Sequence, residues 1–144
     1  MITYQTDFYS WTQQQAALLK ARQFNELDFD NLIEEIESMG ASERKELDSR
    51  LIELLLHLLK WQYQPKRKGS SWEVSIAKQR DGIEKVLCDN PSLKYQLDKR
   101  VADCYVYARR YAAIETQLPK ARFPEECPYS LAQLFDVDFM PDSE

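Results

Sequence analysis

Apolar and polar positions alternate at helical intervals along most of the chain. Phe8, Trp11, Ala16, Leu18 and Leu19 follow Asp7, whose carboxylate suits the cap of a first helix. Phe24, Leu27 and Phe29 then fall in a connection marked by Asn25 and Asp28. A second helix is expected from about Asp30, with Leu32, Ile33, Ile36 and Met39 on one face and Glu34, Glu35 and Glu37 on the other. Gly40 either ends that helix or bends a longer one. Ser42 can restart or continue the path, and a third helical segment runs from about Glu43 through Tyr63 until Pro65 stops it.

The densest run, Leu51 to Trp61, is apolar almost all the way round a helix, which places it at the centre of a core. After Pro65, the basic stretch Lys66-Arg67-Lys68-Gly69 leads to a cap at Ser70 or Ser71. The next helix follows Trp72, Ile76, Gln79, Ile83 and Val86 and ends near Asn90-Pro91. Ser92 begins the last long helix, whose seam is Leu97, Val101, Cys104, Ala108 and Tyr111 and which Pro119 closes. Beyond Lys120 the chain is punctuated by proline until a short helical turn around Leu131, Leu134 and Phe135, an aromatic tail expected to pack back on the body. No period-two strand pattern, internal repeat or glycine-rich phosphate loop occurs. The expected fold is all-α: a single-domain irregular helical bundle of about four to five helices over residues 1–144, with a proline-punctuated C-terminal arm.

Composition narrows the classes. A formal charge of -5 argues against a dedicated duplex-binding protein, whose affinity comes from phosphate contacts. The three cysteines, Cys88, Cys104 and Cys127, form no C-x-x-C pair and read as reduced thiols. The first residues lack a basic and apolar leader, and no apolar run reaches the ~18 residues of a membrane span, so a cytoplasmic location is expected.

Candidate chemistry concentrates on one stripe. Glu43, Glu46, Arg50, Glu53, His57, Lys60 and Gln64 lie alternately three and four apart. Between Arg50 and Lys60 the stripe must enter or border the interior. It is either the solvated face of an amphipathic helix, with Glu53, His57 and Lys60 pairing along it, or the wall of a polar pocket in which a carboxylate orients the imidazole. His57 is the only histidine, so a multi-histidine metal centre is excluded. A carboxylate site would need Glu34, Glu37 and Glu53 together, and the Glu-x-x-His element of bundle metal sites is missing because Leu54 stands three before His57. No metal and no cofactor is expected. Arg80, beside the buried face of its helix, calls for a carboxylate partner such as Glu34, Glu37 or Glu53, or else binds an anion. The segment Lys60 to Lys68, with Trp61, and the following Trp72 interleave aromatic and basic residues, as single-stranded nucleic-acid binders do; the alternative is that the tryptophans close the end of the core.

In combination, Asp7-Phe8-Tyr9-x-Trp11, the run Leu32-Ile33-Glu34-Glu35-Ile36-Glu37-Ser38-Met39-Gly40, the run His57 to Pro65, Ser71-Trp72, and Phe123-Pro124-Glu125-Glu126-Cys127-Pro128-Tyr129 resemble a bacterial, largely cyanobacterial family, domain of unknown function number twenty-nine. The resemblance covers nearly the whole chain. It implies a helical intracellular domain of unassigned activity and supplies no catalytic residues to carry over.

The favoured reading is a non-catalytic protein-interaction or regulatory module. Three tryptophans, eight tyrosines and six phenylalanines are more aromatic area than one small core hides, so self-association as a homodimer is expected, with another protein partner as the alternative. The rival reading is an enzyme or ligand-binding protein acting on a phosphate-containing substrate, with His57, Glu53 and Lys60 as catalytic candidates and Glu34, Glu37, Arg80, Trp61 and Trp72 lining the pocket. A third is single-stranded nucleic-acid binding, which the acidic balance disfavours.

Overall fold

The computed structural model describes residues 1–143; Glu144, the last residue of the expected domain, lies outside them. The fold is a helical bundle with no strand among the described residues. Its helices are α1 (Phe8–Lys20), α2 (Phe29–Tyr63), α3 (Ser70–Asp89), α4 (Leu97–Thr116) and α5 (Leu131–Phe135). Short 3-10 turns open at Pro65 and Pro91, where the missing N–H and fixed φ suit a helical first position.

The second and third expected helices are one. α2 runs unbroken through Gly40, which costs about 1 kcal/mol against alanine but does not interrupt the hydrogen-bond ladder. It opens one residue before Asp30, with the Leu32 N–H donating to the Asp28 carbonyl at 3.0 Å. The chain divides into two compact units, residues 1–42 and 43–144, and α2 contributes to both.

In the first unit, Asp7 caps α1 as expected, its carboxylate accepting from the Ser10 N–H at 3.0 Å. Trp11 and Gln15 are its buried residues. The Trp11 indole donates to Asp28 Oδ2 at 3.0 Å, Asn31 donates to the same oxygen at 2.8 Å, and Gln15 Oε1 accepts from the Asp28 N–H at 2.9 Å. These donors, Asn31 first, hold the Asp28 carboxyl below its ordinary 3.8. Tyr4 packs edge-on to Phe8 and Trp11, and its hydroxyl donates to Glu35.

The second unit holds the main core. Leu47, Leu51, Leu54, Leu55, Leu58 and Leu59 of α2 are fully buried, joined by Ile76 and Ile83 of α3, Tyr105 and Ala108 of α4, and Phe123 and Leu134. The C-terminal arm packs into this core, as its aromatic residues indicate. The buried seam of α4 takes Ala112 where Tyr111 was expected, because a period of 3.6 drifts away from a strict four-three alternation over several turns. Tyr111 stands exposed. α3 begins at Ser70 behind Gly69, with no serine side chain capping it. The Arg50 guanidinium lies over Gly82 inside α3 and reaches Gln79 at 3.3 Å, so a Cβ at Gly82 would displace the end of that side chain.

Candidate functional site

The residues of the polar stripe on α2 make separate contacts. Glu46 and Arg50 pair at 3.0 Å near the surface. His57 Nδ1 lies 2.8 Å from the Glu53 backbone carbonyl, so that nitrogen carries the proton and donates. The Glu53 carboxylate stands 3.7 Å from the same nitrogen but is 49% exposed, against 14% for the imidazole. The stripe therefore borders the interior at His57 and Lys60 and is solvated at Glu53.

Lys60 shows what the buried end of the stripe is for. Its ammonium sits 4.9 Å above the Trp72 ring and 3.9 Å from Glu115. Lys68 covers the other tryptophan likewise, its ammonium 4.9 Å from the centre of Trp61. Both indoles are half-buried. Two of the basic residues in this segment, Lys60 and Lys68, thus each cover one face of a tryptophan, while Lys66 and Arg67 stand exposed.

Arg80 is 5% exposed and pairs with no carboxylate among the described residues. The carboxylate partner expected from sequence is replaced by backbone: Nε donates to the Leu134 carbonyl at 2.8 Å and Nη2 to the Gln133 carbonyl at 3.2 Å. Both carbonyls belong to the last turn of α5, where the helix runs out of N–H donors; the Gln133 oxygen also accepts from the Asp136 N–H at 3.4 Å. Burial lowers the Arg80 pKa and the nearby Asp136 charge opposes that. Sequence reasoning had no signal for this pairing, since the partner is main chain 54 residues away.

Glu34 and Glu37 lie exposed on the first unit's part of α2, three residues apart on one side of the helix. Among the described residues no three histidine, cysteine, aspartate or glutamate side chains are grouped to hold a metal ion. The second unit has two larger cavities. One of about 330 Å³ contains the Arg100–Asp48 pair, with Nη1 to Oδ1 at 2.6 Å, beside the buried Cys104 thiol. Arg100 Nε is buried there without a hydrogen-bond partner. The other, about 460 Å³, is lined by Arg80, Leu87, Phe135 and Val137. Burial first, then Asp48, pushes the Cys104 thiol up to about 12, so at neutral pH it is a protonated, unreactive group.

The apolar face that sequence reasoning gave to the second helix is a surface feature of α2 in the first unit. Ile33, Ile36 and Met39 are 52%, 62% and 62% exposed, and Phe29 is 54% exposed. Phe29, Ile33 and Ile36 follow the i, i+4, i+7 spacing of a single row. Their periodicity is that of a buried stripe, and only tertiary structure could reveal that these side chains are exposed.

Residues 3–140 match the family model described as a domain of unknown function, DUF29. No curated protein and no solved structure matches the chain. No helix among the described residues is long and apolar enough to cross a membrane. With the motifs from Asp7 to Tyr129 all inside the matched span, the chain belongs to the DUF29 family of helical domains.

Proposed function

We propose that this protein is a non-catalytic interaction module that docks a protein partner on the exposed row Phe29, Ile33, Ile36 and Met39 of its first unit. The exposure of four large apolar side chains on consecutive turns of one helix carries this reading. Leaving such a row in water forgoes roughly 25 cal/mol for each Å² that a partner would cover, and contiguous apolar surface of this kind marks interfaces. The state of the rival residues supports it as well. His57 is engaged with its own helix backbone, Lys60 with Trp72, and Arg80 with the α5 carbonyls, so each does structural duty.

The test is the paired substitution Ile33→Gln and Ile36→Gln in the full chain, followed by thermal melting and fluorescence of a dye that reports exposed apolar surface. The expected result is a melting temperature within a few degrees of the parent and a marked drop in dye signal. Early unfolding would place the row in the interior, and an unchanged dye signal would place the apolar surface elsewhere; either result rejects the reading.

A further inference from the structure

The whole net charge of the chain resides in its first unit. Residues 1–42 hold seven of the 24 acidic side chains and two of the 19 basic ones, a balance of -5, which leaves seventeen of each sign in residues 43–144. Part of that acidity is structural, since Asp7 caps α1, Asp28 takes the Trp11 indole and Glu35 takes the Tyr4 hydroxyl. The rest is arranged. Asp30, Glu34 and Glu37 repeat the i, i+4, i+7 spacing of Phe29, Ile33 and Ile36, shifted by one residue, which is about 100° around the helix. All three carboxylates are exposed, and none has an ion-pair partner among the described residues.

An apolar row edged by an unpaired acidic row specifies the chemistry of what covers it. We infer that the partner is an amphipathic helix of another protein that carries a row of lysine or arginine alongside its own apolar row. This rests on the docking face proposed above and adds the identity of the occupant. Helix recognition reads apolar anchors at i, i+4 and i+7 spacing, and a matching basic row sets orientation and speeds encounter. A second copy fits less well. It would bring one acidic unit against another, and the two basic residues of residues 1–42, Lys20 and Arg22, lie outside α2. The same charge repels an anionic lipid surface.

The experiment uses the full chain and a fluorescent peptide of leucine and lysine, with leucines at i, i+3, i+4 and i+7 and lysines along one flank. Control peptides carry glutamate in place of lysine, or the same leucines and lysines in scrambled order. Anisotropy is expected to show the ordered leucine-lysine peptide binding, with affinity falling about tenfold or more in Glu34→Gln/Glu37→Gln and in Ile33→Gln/Ile36→Gln, and falling as salt is raised. The glutamate and scrambled peptides are expected to bind at least about tenfold more weakly. Equal binding of the glutamate peptide, or binding indifferent to both substituted pairs, overturns the inference. So does a doubled mass in light scattering that Ile33→Gln/Ile36→Gln returns to 17.0 kDa, which would make a second copy the occupant. Absence of peptide binding with the dye signal intact removes the basic partner and leaves the docking face standing; loss of the dye result removes both.

Discussion

Arg80 Nε donates to the carbonyl oxygen of Leu134 at 2.8 Å, joining the middle of α3 to the last turn of α5 across 54 residues of sequence. With the second bond to Gln133, whose carbonyl also accepts from the Asp136 N–H, one buried guanidinium ties down the end of α5. The C-terminal arm is held at that point by charge-assisted hydrogen bonds as well as by Leu134 in the core.

Arg80→Ala is therefore expected to cost about 3 kcal/mol, since hydrogen bonds to a charged group contribute roughly 1.5 to 3 kcal/mol and the Leu134 carbonyl loses its side-chain donor. Arg80→Lys keeps charge but loses the fork, and should fall between the two. Chemical denaturation measures both, and limited proteolysis should cut first in the arm after Tyr129. An alanine variant within about 0.5 kcal/mol of the parent would show the arm to be anchored elsewhere.

The two apolar stripes of α2 should respond differently to the same kind of change. Leu58→Ala, at a fully buried position, is expected to cost about 2 to 5 kcal/mol. Ile33→Ala, at a position 52% exposed, should change stability by no more than about 0.5 kcal/mol. Equal costs in urea titrations would contradict the burial of one stripe and the exposure of the other.

His57→Gln should cost about 1 kcal/mol, the typical net contribution of one intramolecular hydrogen bond. Glu53→Gln, on a half-exposed carboxylate whose contact with the ring is 3.7 Å, should be nearly neutral. The pair lacks the burial that makes loss of one charged partner cost about 3 to 5 kcal/mol. A large loss in both variants, read by thermal melting, would restore a buried network at this point.

The cysteines should separate by reactivity and the fold by pH. Cys88 is exposed and should alkylate first, whereas Cys104 is buried, donates toward Asp48, and should react only on unfolding. The folded Cys104 pKa, raised from 9.0 to about 12, means that the folded state holds this proton more tightly than the unfolded state. Its contribution is fully present below pH 9.0 and is lost as pH rises toward about 12. Asp28 works in the opposite sense. Its lowered pKa contributes above the ordinary 3.8 and is lost as pH falls below it. Melting curves from acid to alkali should show both declines, and Cys104→Ser should flatten the alkaline one.

Most helices are legible in the sequence because the signals that make them are local. The periodicity of Leu51 to Trp61, the Asp7 cap, the stops at Pro65 and Pro119 and the aromatic turn at Leu131 all act within a few residues, and each reappears within a few residues of its expected place. Tertiary structure decided what each helix face meets. Ile33 and Leu58 are equally good members of an apolar stripe, yet one faces water and the other the core, since spacing tells which residues share a side and not what lies opposite. The unbroken passage through Gly40, the Lys60–Trp72 pairing and the backbone partners of Arg80 were equally out of reach. Continuity of a helix through a glycine depends on a balance of about 1 kcal/mol, and the other two contacts are made between residues that only folding brings together.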